Sequence, residues 1–226
     1  MTVKRIVLIA SCAALLPCLA QAATVFSDNF NADAPTSLGL TSLPSTAGTN
    51  TVGGTWTVTN TGTVDIVNTP DYGITCAGAS GACIDLNGTN GNNGTGPGQL
   101  QLAMNLAANT TYTATFDLSG NQRNFGTDNV LVTAGSGGTV TSSLTVGPLA
   151  PSDPFTTQTL TFTTGGTAGT YDLVFLDTNT ADNNGNIGAL LDNVTVNSVP
   201  LPAAAWLLLS GLAGMGLMAR RRLVPA

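Results

Sequence analysis

Between Thr24 and Ser198 the apolar residues recur at every second position in short runs, and no run has the three-to-four spacing of a helix face. Tyr112-Thr-Ala-Thr-Phe116-Asp-Leu118 is the clearest. Tyr112, Ala114, Phe116 and Leu118 fall on one side, Thr113, Thr115 and Asp117 on the other. Leu160 with Phe162, and Tyr171 with Leu173 and Phe175, repeat the pattern. A segment written this way buries one face only as a strand. Clusters of Gly, Asn, Pro and Asp separate the runs and turn the chain back. Strands are predicted over 25–30, 56–59, 64–67, 84–86, 100–104, 112–118, 130–134, 140–146, 159–163, 171–176 and 189–196, and 31–55 and 87–98 read as long loops. About ten strands in roughly 175 residues make an all-β body, a two-sheet antiparallel sandwich of jelly-roll type, with an Ig-like sandwich as the alternative.

Charge narrows what such a body can do. All twelve acidic residues are Asp and lie in the body, where Arg123 is the one cation, a net −11 against −6 for the whole chain. There is no His, so a Ser-His-Asp triad, a Cys-His pair and a His-ligated metal are excluded. One Arg cannot neutralise a run of phosphates, so nucleic acid is not an expected partner. Nor is there a Gly-rich phosphate loop followed by Lys. A glycosidase needs two carboxylates across a cleft, and Asp117, Asp172 and Asp177 are the acids in or beside strands available for one; nothing in the sequence marks a pair, and the expectation is a protein that is not an enzyme.

The other five cations sit in the two ends. Residues 1–22 have a basic start (Lys4, Arg5), an apolar stretch and the small-x-small site Ala20-Gln21-Ala22, the form of a cleaved secretory signal peptide. The body is then 23–198. Residues 199–226 contain the apolar stretch 201–219, about long enough to span a bilayer, followed at once by Arg220, Arg221 and Arg222 on the cytoplasmic side. The chain is expected to be exported through the inner membrane to the periplasm, cell surface or extracellular matrix, and tethered at least transiently.

That tail resembles a known sorting signal. Val199, Pro200, Leu201, Pro202 and Ala203, then a Leu/Gly/Ala-rich helix, then the Arg cluster, is similar to the PEP-CTERM signal in its VPLPA variant, found on exported proteins of polysaccharide-producing Gram-negative bacteria. Leu201 stands where Glu is commoner, and Leu223 to Ala226 extend past the arginines. The resemblance implies an exosortase-like processing enzyme as partner and an association with extracellular polysaccharide. The body loosely resembles galactose-binding-like jelly rolls, a group that includes carbohydrate-binding modules. The resemblance lies in Phe26-Ser-Asp28-Asn29-Phe30 near its start, the strand around Tyr112–Leu118, and Gly188-Ala-Leu-Leu191-Asp192-Asn193-Val194 at its end.

The candidate sites follow. Cys76 and Cys83, the two cysteines left in the body, read as a disulfide in an exported protein. The jelly-roll resemblance implies a structural calcium between the first and last strands, on Asp28 or Asn29 with Asp192; the alternative is that these are turn residues and Asp192 sits at a β-bulge. A second oxygen-rich segment carries Asp177, Asn179 and Asp182, without the spacing of an EF-hand. For glycan, Trp56, Tyr72 and Phe125 offer aromatic faces, and Asn121, Gln122, Arg123 and Asn124 cluster beside Phe125. The alternative reading places Trp56 and Phe125 in the core and pairs Arg123 with an Asp. The expected role is a surface protein associated with polysaccharide, or a structural or adhesive matrix protein without a specific ligand.

Overall fold

The computed structural model describes residues 22–35, 40–44, 51–52, 55–59, 62–89, 97–179, 186–200 and 208. The expected signal sequence, Asp182, and the tail residues Leu201, Pro202, Ala203, Arg220, Arg221 and Arg222 lie outside them. Among the described residues no helix is long and apolar enough to cross a membrane. The strands are β1 (Thr24–Asp28), β2 (Leu40–Pro44), β3 (Thr51–Val52), β4 (Trp56–Thr59), β5 (Thr63–Asn68), β6 (Ala82–Asp85), β7 (Gln99–Leu106), β8 (Thr111–Ser119), β9 (Asp128–Ser136), β10 (Thr139–Leu149), β11 (Thr156–Thr163), β12 (Gly169–Asp177) and β13 (Leu190–Ser198). They form two antiparallel sheets. The first runs β11-β8-β13-β6-β5-β2, with β1 also on β13; the second runs β10-β9-β12-β7-β4-β3. This is the two-sheet jelly-roll sandwich that the alternation predicts. The segment 31–55 is not all loop: β2 pairs with β5 and β3 with β4, as short strands at the ends of the two sheets.

The two inner faces meet in one core. Tyr112, Ala114, Phe116 and Leu118 on β8 point inward, as do Leu160 and Phe162 on β11 and Leu173 and Phe175 on β12. An aromatic chain crosses from sheet to sheet: Trp56 lies 6.0 Å from Phe175, and Phe175 packs edge-on against Phe116 at 5.0 Å. Phe26 and Phe30 close on the same indole at 5.5 and 5.7 Å. Each such large side chain contributes about 1.5–3 kcal/mol by burial. On β5 and β6 both faces are buried. Ile66 and Ile84 belong to the main core, while Val67 and Cys83 join Ile74, Cys76, Leu190 and Phe155 in a second, smaller core on the outer face of the first sheet. The chain from Ile74 to Cys83 is folded down over that face, and the Cys76–Cys83 disulfide, with Cα atoms 5.5 Å apart, closes it.

Strand β13 holds the irregularity that matters most. Its register on β8 shifts between Asp192 and Thr195. Leu191 and Val194, three apart, both reach the main core, so Asp192 and Asn193 are left together on the outer side. Asn193 takes a left-handed φ of 49°, which Asn tolerates better than most residues. A bulge of this kind re-aims side chains, and here it turns two polar ones out beneath the Cys76–Cys83 loop.

Candidate glycan-binding cleft

The outer face of the first sheet carries an open cleft of about 770 Å³. Asp117 from β8 and Asn193 from the β13 bulge form its floor. One wall is Gly73 and Thr75 to Gly78, and the other is Pro151 to Phe155, with Gln122 and Asn124 at the end. The walls are fixed by local bonds. Gln122 grips Thr75 twice: its Oε1 accepts from the Thr75 N–H at 2.9 Å and its Nε2 donates to the Thr75 carbonyl at 3.0 Å. The backbone N–H of Gln122 donates to Pro151 O at 2.9 Å and that of Gly120 to Asp153 O at 3.2 Å. A Cβ at Gly120 would stand 1.8 Å from the Ala150 carbonyl, so this approach admits only glycine.

The floor is acidic. Asp117 accepts from Thr157 Oγ1 at 2.6 Å and from Asn193 Nδ2 at 2.9 Å. Its cross-strand neighbour is Asp192, a buried carboxylate that accepts the N–H groups of Ala77 at 3.1 Å and Asn193 at 2.7 Å. Burial pushes the Asp192 carboxyl up to about 6; the two backbone donors pull it back, and Asp117 and Asp28 raise it further. On the wall, Asp153 Oδ2 accepts the Ala150 N–H at 2.7 Å.

The glycan candidates divide. Trp56 is a correction: it is fully buried, and its Nε1 donates to Asp28 Oδ2 at 2.9 Å, so it offers no face to a sugar. Arg123 is turned inward as well. Its Nη2 pairs with the fully buried Asp85 and donates to Asn186 O at 3.0 Å. Asn121 is buried and donates to Phe125 O and to Asp128. Of that cluster Asn124 and Phe125 face outward, with Phe125 42% exposed. Tyr72, beside Gly73 of the cleft wall, is 56% exposed.

The calcium candidates do not assemble. Asp28 spends one oxygen on the Phe30 N–H at 2.8 Å and the other on Trp56, and Asn29 Oδ1 accepts the Asn31 N–H at 3.3 Å. Asp192 is turned to Ala77 and Asn193. Each of these oxygens accepts from a neutral protein donor. Asp177 accepts from Asn179 N at 2.9 Å and Ala189 N at 3.0 Å, and Asn179 donates to Thr127 O. Among the described residues no three or more Asp or Cys side chains are grouped to hold a metal. Asp117 and Asp172 lie on the outer faces of opposite sheets, and Asp177 is buried at the end of β12, so these three form no catalytic pair.

The body's two ends meet: Ala23 N donates to Ser198 Oγ at 3.1 Å, and Val199 N to Thr111 O at 2.8 Å. Val199, the first residue of the expected sorting motif, is exposed and sits six residues beyond Asn193, roughly 20 Å along the chain.

The sequence matches no family profile, and no curated protein is significantly similar to it. Among solved structures, the chain is similar to a cyclase from Fischerella sp. TAU, at 18% identity and a TM-score of 0.53 over 80% of this chain and 100% of that one. A Stig cyclase from the same organism, in complex with (3Z)-3-(1-methyl-2-pyrrolidinylidene)-3H-indole, gives 18%, 0.51, 80% and 100%. The CBM22-1 and GH10 modules of an endo-1,4-beta-D-xylanase from Clostridium thermocellum, complexed with xylohexaose, give 13%, 0.46, 79% and 29%. At these identities the likeness concerns the fold alone.

Proposed function

We propose that this is an exported, non-enzymatic surface protein that binds extracellular polysaccharide through the cleft above Asp117 and Asn193. One observation carries the reading: an open, rigidly walled cleft on a sheet face, lined by carboxylate, amide and hydroxyl groups beside Phe155, Pro151 and Pro154. Sugars present hydroxyls at their edges and C–H groups on their faces, and this lining answers both. The non-enzymatic reading is supported by Asp192, the cross-strand neighbour of Asp117, being buried with its oxygens turned to backbone N–H groups.

Export and tethering rest on the ends of the sequence. Residues 1–22 serve as signal peptide, and the tail from Val199 holds the protein at the inner membrane until an exosortase-like enzyme removes it. Mass spectrometry of the mature protein tests this: a chain ending before Arg220 supports removal, and one ending at Ala226 overturns it. A glycan array, including the producing cell's own polysaccharide, tests the binding. Capture of at least one glycan, lost on Ser152→Trp in the cleft wall, is expected. No capture of any glycan favours the structural matrix role instead.

A further inference from the structure

We infer that the cleft selects amine-bearing sugar units over neutral or acidic ones. This rests on the glycan-binding reading above and names the ligand class it takes.

Several of the cleft's donors are spent. Both Gln122 amide groups are committed to Thr75, with Nε2 also donating to Ser119 Oγ at 3.2 Å. Asn193 Nδ2 is held by Asp117. The acceptors are in surplus. Asp117 has lone pairs beyond the two bonds it accepts, and on Asp153 only Oδ2 takes the Ala150 N–H, leaving Oδ1 on the cleft wall. Asp192 lies buried behind them under Ala77, outside the lining. No cation answers them. Arg123, the one cation among the described residues, is 15% exposed and held by Asp85.

An ammonium group brings three donors, no acceptor and a positive charge. It matches a site that is rich in carboxylate and holds no cation. A uronic acid or sulfated sugar brings negative charge, meets no cation in the cleft and is repelled by Asp117 and Asp153. The C–H face of a pyranose ring is left to Phe155, Pro151 and Pro154. The predicted ligand is a partly or fully deacetylated glucosamine-type polysaccharide.

The experiment uses the full chain in a detergent without sugar headgroups. Calorimetry at about pH 6 and low salt compares a chitosan hexamer, the N-acetylated chitin hexamer of the same backbone, oligogalacturonate and hexalysine. Chitosan should bind at least about tenfold tighter than chitin, and galacturonate not at all. Asp117→Asn with Asp153→Asn should bring chitosan and chitin to within about twofold, whereas Asp172→Asn on the opposite sheet should leave the preference intact. If the double variant fails to fold, Ser152→Lys at the exposed wall position is expected to abolish the preference by charge alone. Equal binding of chitosan and chitin overturns the amine selectivity and leaves the glycan reading standing. Erosion of the preference by Asp172→Asn overturns it too, by tracing it to the field of the whole body. Hexalysine binding as tightly as chitosan, with no response to chitin, overturns both.

Discussion

Arg123 and Asp85 give the sharpest test of how this body is built. Asp85 is fully buried, with Oδ1 taking the N–H groups of Asn87 at 3.0 Å and Gly188 at 2.9 Å, and Oδ2 facing the guanidinium. Burial raises its carboxyl well above the usual carboxylate range, and Arg123 is the largest influence pulling it down. Arg123→Met keeps the apolar stem and removes the charge. Breaking a buried pair from one side costs about 3–5 kcal/mol, because the remaining charge is left uncompensated. The low end applies here, since Oδ1 keeps two backbone donors and the buried Arg123 Nε has no hydrogen-bond partner to lose. A loss of about 3 kcal/mol at neutral pH lowers the melting temperature by roughly 6–12 °C in a domain of this size.

The loss must depend on pH, and its sign is fixed. Without Arg123 the folded Asp85 holds its proton to a higher pH, while the unfolded one releases it near 3.8. The folded state then binds more protons across that window, so the variant loses stability as pH rises through it. Towards the acid end of that window a proton stands in for the guanidinium and the deficit narrows. Thermal melts of the parent, Arg123→Met, Asp85→Asn and the double variant, at about pH 5 and pH 8, complete the cycle. The double variant, with both charges gone, is expected to melt above Arg123→Met at pH 8. An equal loss at both pH values, or a double variant no better than Arg123→Met, refutes the idea that the guanidinium serves to hold a buried charge.

Three further outcomes follow from the same geometry. Asp192 has its carboxyl at about 6 in the folded chain against 3.8 unfolded, so it stabilises the fold below about pH 4 and progressively less as pH rises to 6. Full burial would make this about 3 kcal/mol, and screening on the cleft side reduces it to about 1.5; Asp192→Asn should flatten the slope of melting temperature between pH 4 and 6. Cys76→Ser with Cys83→Ser opens a short loop and is expected to cost roughly 2–3 kcal/mol in denaturant melts, with the small core of Val67, Ile74, Leu190 and Phe155 loosened and glycan affinity reduced. Asn193→Val puts a β-branched residue at a φ of 49° and should lose about 1–2 kcal/mol, where Asn193→Gly loses less.

The sandwich was legible because its core strands obey period two on their own. Tyr112 to Leu118 needs no partner to show which side is buried. The strands β2 and β3 were not legible, since a strand of two to five residues beside a single neighbour takes its backbone bonds from that neighbour and leaves little pattern behind. The burial of Trp56 was available in its own alternation, Trp56-Thr-Val58-Thr, which puts the indole on the side of Val58. Its loop-like surroundings argued the other way, and the core contacts of Phe30 and Phe175 decided it. Arg123 stood out as the one cation, but its partner Asp85 is 38 residues away and only the sheet register brings them together.

The cleft was the hardest part to foresee, for a physical reason. A binding wall made of loops carries no periodicity, and Pro151-Ser-Asp-Pro154-Phe155 reads as a turn until Gly120, Ser119 and Gln122 are seen to hold it. Its floor did leave one trace. Leu191-Asp-Asn-Val194 spaces two apolar residues three apart inside a run otherwise spaced by two, and a strand can bury both only through a bulge. That single extra residue turns Asp192 and Asn193 to the same outer side. The polarity of the cleft therefore follows from the packing of Leu191 and Val194. Deleting Asn193 should restore the alternation with Leu191 and Val194 still inward and Asp192 outward, and it takes from the floor the amide that donates to Asp117, so the proposed glycan binding should weaken while the core packing is kept.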